Sequence, residues 1–205
     1  MNSLLRIVLT LLVFVTVTVD ATQITNIHQI DFKNFAYPWD ESTEDVPLTW
    51  RWTTLSSPPL RLQAVNGIHH FYEKGQSQTE RARAPLFSVD SVTYGDLNGD
   101  GIEEAVVALN YSTGGTANWD YLYVYKLVHG HARLLGRMET GSRGYGGLVK
   151  VSIQNGLLVV EFTDADRHVG DCCSEGYVRV RYRWREGGFI EEGPRERGDL
   201  DLHEH

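Results

Sequence analysis

WDYLYVYKLVHGHARLLG, Trp119 to Gly136, is the stretch that decides the class of fold. Tyr121, Tyr123 and Tyr125 recur at every second position and share one face. Leu122 and Val124 take the other face. A period of two in aromatic and β-branched residues is a strand signal. His129-Gly130 then marks a tight turn into a second apolar run.

Further along, YVRVRYRWREGGFIEEG (177–193) has the same form, with a turn at Gly187-Gly188. Val178, Val180, Tyr182 and Trp184 share a face; Tyr177, Arg179, Arg181 and Arg183 share the opposite one. The basic face fits either an anion-binding ladder or a solvated surface paired with Glu residues of neighbouring strands. Each of the two stretches follows an apolar run and a long polar loop. EAVVAL (104–109) leads into NYSTGGTANWD, and LLVVEF (157–162) leads into TDADRHVGDCCSEG. The chain therefore carries a weak two-unit repeat of strand, loop, strand, turn, strand. Two units are too few for a closed propeller. The expected fold is mainly β: a single antiparallel meander domain forming a twisted sheet, a sandwich or a partial barrel. Corresponding loops of the two units are expected at the same end.

Asn66-Gly67 and Asn155-Gly156 each lie between β-like runs, where both turn residues need positive φ. The region 22–85 adds several short strands, broken at Ser56–Pro59 and by a polar loop at Lys74–Ala84. No linker divides the chain.

Ile7 to Val19 is apolar except for three Thr residues, follows Arg6, and precedes Val19-Asp20-Ala21. This is the pattern of a signal peptide over residues 1–21. The run is shorter than the roughly 20 apolar residues that span a bilayer. The expected product is a secreted or periplasmic domain over 22–198, with an acidic tail at 199–205 and no membrane span once the signal is removed. The net charge of −8 disfavours a nucleic-acid partner. Asp40–Asp45 is an acidic run of the kind found in solvated segments.

GDLNGDGIEEAVVAL (95–109) places Asp96, Asn98 and Asp100 at alternate positions, then Gly101 at a sharp turn. Such a loop can aim several oxygens at one hard cation. The Ile102 carbonyl and Glu104 complete the expected calcium ligand set. The position where an EF-hand wants its last Glu is Val107, inside a strand run, so that motif is excluded. The alternative reading is a turn whose Asp and Asn side chains cap backbone amides without metal. The stretch resembles the loop-then-strand calcium sites of FG-GAP and VCBS repeats, and that resemblance implies a structural ion.

Cys172 and Cys173 are the two cysteines, and they are adjacent. The readings are a vicinal disulfide clipping one turn, two thiols free or paired elsewhere, or a redox or metal site. Three loops, Ser112–Asp120, Thr140–Gly147 and Asp164–Gly176, are expected to form one rim. Trp119, Arg143, Tyr145 and His168 are its candidate contacts for a protein, a carbohydrate or a small ligand. Asn110-Tyr111-Ser112 is a glycosylation sequon, meaningful only in a eukaryotic secretory pathway, and Arg197-Gly198-Asp199 is an adhesion-like tripeptide short enough to arise by chance.

YPW (37–39), GDLNGDGIEEAVV, STGGTANW (112–119), TGSRGYGGL (140–148) and GDCCSEG (170–176) together resemble a group of uncharacterised secreted bacterial proteins. The D-x-N-G-D-G loop followed by adjacent cysteines is also similar to some bacterial lipoproteins of unknown role, although no lipid-anchor Cys follows the leader. The resemblance implies compartment and β architecture only. The leading expectation is an exported, calcium-stabilised binding module. The alternatives are an envelope hydrolase using loop carboxylates or His168, and a redox protein using the cysteine pair.

Overall fold

The computed structural model describes residues 24–39, 51–53, 60–170, 173–185 and 187–200. The expected signal peptide, the 40–45 acidic run and Cys172 lie outside the described residues. The strands are β1 (Ala36–Trp39), β2 (Arg51–Thr53), β3 (Leu60–Gln63), β4 (Ile68–His70), β5 (Leu86–Gly95) and β6 (Glu104–Ser112). They continue with β7 (Asn118–Val128), β8 (His131–Glu139), β9 (Leu148–Gln154), β10 (Leu157–Thr163), β11 (His168–Val169) and β12 (Cys173–Ser174). The last are β13 (Gly176–Arg185), β14 (Gly188–Glu191) and β15 (Glu196–Asp199). Among the described residues one α-helix, α1 (Gln78–Ala82), and three short 3-10 turns interrupt them.

The first sheet has six strands in the order β2-β8-β7-β6-β5-β4. The second runs β14-β13-β10-β9, and β15 shares the β14 side of β13. Every strand pairing is antiparallel. The protein is therefore mainly β and antiparallel, as the alternating patterns predict. The repeat survives as topology: β6-β7-β8 and β10-β13-β14 are matching three-strand meanders, one in each sheet.

The two faces of β7 explain how the layers assemble. Tyr121, Tyr123 and Tyr125 pack with Tyr37, Trp39, Leu62, Phe32 and Phe87, so the 24–39 and 60–64 segments cover the outer face of the first sheet. Leu122 and Val124 pack with Leu158, Val160, Phe162, Val178 and Val180 of the second sheet. The protein thus has three layers, with the six-stranded sheet in the middle. That position is why β6 reads as an unbroken apolar run: Ala105, Val107 and Leu109 enter one core, Val106 and Ala108 the other. The sheets approach closely at Gly95, where an added Cβ would sit 2.8 Å from Ile153 Cγ2.

On β13, Val178, Val180 and Tyr182 point inward. The outward arginines are paired: Arg179 with Glu161 at 2.6 Å, Arg181 with Glu196 at 2.8 Å, and Arg183 with Glu192. The basic face is a neutralised surface network, and each exposed pair in it contributes little alone.

Two details depart from the expectations. The Asn66-Gly67 turn forms, with φ of 53° and 84°, but its ladder stops after the Val65–Ile68 bridge. β3 is recruited by β1 and β4 by β5, because Leu62 and Ala64 are buried in the outer layer. The polar 74–84 loop contains α1, opened by a Ser77–Glu80 capping box that the Ser-x-x-Glu spacing announces.

Tyr125 is 2 % exposed, and its hydroxyl has no hydrogen-bond partner among the described residues. An unpaired buried hydroxyl costs free energy. Tyr125→Phe is therefore expected to stabilise the fold by about 0.5–1.5 kcal/mol. A melt in which Tyr125→Phe unfolds earlier than the parent protein would contradict this.

Candidate functional site

The carboxylate loop closes on its own backbone. Asp96 accepts from the Gly99 and Gly101 amides at 2.7 and 2.9 Å. Asn98 Oδ1 accepts from Asp100 N at 2.8 Å, and Asp100 Oδ1 from Ile102 N at 2.8 Å. Glu104, 1 % exposed, turns inward and accepts from Leu97 N at 2.8 Å and from Asn98 Nδ2 at 2.6 Å. Burial pushes the Glu104 carboxyl up to about 7, and the Asp100 and Asp96 charges push it the same way. Amide hydrogen bonds, that of Gly101 first, hold Asp96 below the usual carboxylate range. The loop is thus shaped as the capping alternative requires. No cluster of three or more His, Cys, Asp or Glu side chains placed to hold a metal occurs among the described residues. A cation would have to draw these oxygens away from, or share them with, the amides. The loop is also tied to the outer layer: His28 reaches Glu103 at 2.8 Å and stacks on Tyr94.

β6 separates this loop from the expected rim. Glu104 opens the nine-residue strand and Ser112 closes it, so the two regions lie at opposite ends of the sheet, about 25–30 Å apart. At the far end the loops after β6, after β8 and after β10 meet. They enclose a cleft of about 480 Å³ lined by residues that include Asn110, Asn118, Asp120, Arg143, Leu148 and Ser174. The crossover 140–147 touches both equivalent loops: Arg143 reaches Asn118 after the first, and Gly144 packs on Cys173 in the other.

Asp120 organises the cleft. Its backbone carbonyl accepts from Thr140 N at 2.9 Å, where the crossover begins. Its carboxylate accepts from Leu148 N at 2.9 Å, where the crossover ends, and from Asn110 Nδ2 at 2.7 Å. Burial raises the Asp120 carboxyl; the bonds from Asn110 and Leu148 oppose that rise. The sequence expectation overlooked Asp120. Its signal was a carboxylate on the same strand parity as inward Leu122 and Val124.

The crossover is braced from the second sheet too. Gly147 N donates to Thr163 Oγ1 at 2.9 Å, and Thr163 Oγ1 donates to the Arg143 carbonyl. Arg143 sits at φ 25°, unusual for a residue with a Cβ. Gly144 packs so tightly on the third loop that an added Cβ would lie 2.5 Å from the Cys173 carbonyl oxygen.

Of the expected rim residues, Arg143 lines the cleft. Tyr145 and His168 meet beside it, ring centroids 4.7 Å apart, and His168 Nδ1 lies 2.8 Å from the Ala165 carbonyl. Trp119 is a correction. It faces the other side of β7 and stacks on Tyr111 against the outer core, while its neighbours Asn118 and Asp120 face the cleft. Strand alternation imposes this reversal. Cys173 lines the cleft, and no free cysteine occurs among the described residues. The expected partner, Cys172, lies outside them.

Asp199 and Leu200, the first two residues of the expected tail, are packed on the domain, and 201–205 lie outside the described residues. β15 pairs Gly198 and Asp199 with Tyr177 and Gly176, and Leu200 lines the cleft. Arg197 and Asp199 of the adhesion-like tripeptide are engaged with Asp166 and Arg167. The sequon Asn110 is held inside β6 by Asp120. No helix among the described residues is long and apolar enough to cross a membrane. Comparisons with protein-family models, with curated proteins and with solved structures find no match to this chain.

Proposed function

We propose that the protein is an exported binding module that takes a small ligand in the cleft between its two meanders. The supporting observation is the convergence of three braced loops around a cleft of about 480 Å³ that mixes apolar and polar walls. Its polar groups serve mainly to hold the walls. Both Asp120 oxygens are engaged, by Asn110 and Leu148, and Thr163 Oγ1 is held between Gly147 N and the Arg143 carbonyl. No described pair has a nucleophile and a base within hydrogen-bond reach in the cleft, so binding is favoured over hydrolysis. The test is amide-resolved NMR with glucose, alanylalanine and acetate as probes, each to about 50 mM. Saturable shifts confined to 110–120, 141–149 and 173–174 with at least one probe support the reading. Scattered or absent shifts with all three overturn it.

The same reading assigns the 96–104 loop a structural calcium ion, remote from the cleft. Asp96, Asp100 and Glu104 bring negative charge together around a buried carboxylate, and a divalent cation would relieve that repulsion. At the 10⁻⁴–10⁻³ M affinity typical of extracellular calcium modules, 10 mM calcium should stabilise by about 1.4–2.7 kcal/mol. The melting midpoint in calcium should exceed that in chelator by about 3–8 °C. Identical midpoints would remove the ion from the proposal.

A further inference from the structure

We infer that the cleft recognises the carboxylate of a small molecule with a short apolar tail, and that Arg143 is the residue that reads the charge. This inference rests on the cleft being a binding site and names its ligand class. Arg143 is exposed and makes no ion pair with any described residue; Arg61, Arg81, Arg83 and Arg133 share that state, but of these five arginines it is Arg143 that lines the cleft. With the Asn118 amide oriented to satisfy its neighbours, its oxygen accepts from Arg143 Nε at 3.1 Å and Nη2 at 3.0 Å. Its nitrogen then donates to Ser112 Oγ at 2.9 Å.

That arrangement has a chemical consequence. A guanidinium carries five N–H donors, and Asn118 occupies the Nε–Nη2 edge. The Nη1–Nη2 edge remains, and its two parallel donors match the two oxygens of a carboxylate. The backbone behind it is fixed by Thr163 and by the crossover's own bonds, Gly141 N to Gly146 O at 2.9 Å and Tyr145 N to Ser142 O at 2.6 Å. A fixed fork loses little entropy on binding.

The apolar part of the lining sets the rest of the ligand. Leu148, Val149 and Leu200 line the same cleft. Val149 is 37 % exposed, an apolar surface beside a cation. A branched aliphatic tail would cover it while the head reaches Arg143. The pairing of planar anion and apolar tail favours a carboxylate over inorganic phosphate, which has no group for that wall.

The experiment titrates 4-methylpentanoate, 4-methylpentanamide and inorganic phosphate into the protein, following Arg143 Nε–Hε and the Gly147–Val149 amides. The acid should give saturable shifts with a millimolar dissociation constant, and the amide should bind at least about fivefold more weakly. Arg143→Gln should bring the acid down to the amide's affinity, while Arg133→Gln, on the exposed β8 surface, should leave it unchanged. Equal binding of acid and amide overturns charge reading while leaving the cleft a binding site. Phosphate that binds as tightly as the acid overturns the ligand class. Silence from all three at the cleft overturns both this inference and the reading it rests on.

Discussion

Gly144→Ala is expected to destabilise the protein by about 2–4 kcal/mol and to abolish ligand-induced shifts in the cleft. The position has no positive φ, so the loss does not come from backbone conformation. It comes from approach. An added Cβ would stand 2.5 Å from the Cys173 carbonyl oxygen and 2.9 Å from its carbonyl carbon and nitrogen. All three are backbone atoms, so no rotamer change relieves the contact. The crossover must move away from the third loop, and that movement opens the cleft wall. The midpoint should fall by about 5–15 °C. Gly188→Ala is the control: no heavy atom lies within 4 Å and its φ is not positive. It should melt with the parent protein. A Gly144→Ala protein with parental midpoint and intact cleft shifts would mean that the loops do not pack as described.

That contact also shows why the fold was more legible than the site. Turn chemistry is local. Asn155-Gly156 demands positive φ at both residues, and the structure has 52° and 73°. Alternation is local too, so Tyr121, Tyr123 and Tyr125 could be placed on one face before any partner was known. What covers each face is not local information. Nothing near Tyr123 says that Tyr37, far back in the chain, will pack against it. The outer layer, and hence the burial of β6 on both faces, is set by these long-range contacts.

The site divides the same way. The spacing of the two meanders correctly implied that their loops would share an end. Trp119 was misassigned because an aromatic in a loop-like stretch looks like a ligand contact, whereas it already belongs to β7 and follows that strand's outward parity. The 96–104 loop was legible as a compact turn of alternating oxygens. Whether those oxygens serve amides or a cation depends on where each side chain turns, which spacing alone does not encode. Asp120 was missed although the signal was present, because an inward carboxylate becomes informative only once the strand boundary is known.

Asp120→Ala should be the second large effect, and it tests the crossover rather than its tip. The substitution removes both acceptors of the carboxylate. The Leu148 amide and the Asn110 side-chain amide, bonded to it at 2.9 and 2.7 Å, would then lose their partner. Leaving a part-buried donor unsatisfied costs about 1–3 kcal/mol, so the pair predicts a loss of about 2–6 kcal/mol. Asp120→Asn should fall between, because its single oxygen can serve one donor while its amino group faces the other. The backbone bond from Thr140 to the Asp120 carbonyl is untouched in both variants, so one end of the crossover stays tied. Damage should therefore concentrate at Leu148 and Val149, the apolar wall, and amide exchange there should accelerate more than at Thr140. The pH dependence supplies a separate check. Burial raises the Asp120 carboxyl above its ordinary value, so its charged form is the less comfortable one in the folded state. Its contribution to stability is greatest below the unfolded-state value of about 3.9 and declines as pH rises through the folded-state value. Asp120→Asn cannot titrate and should lack that decline. A variant that keeps the parental pH slope, or whose faster exchange is spread evenly over both sheets, would show that Asp120 does not anchor the wall of the cleft.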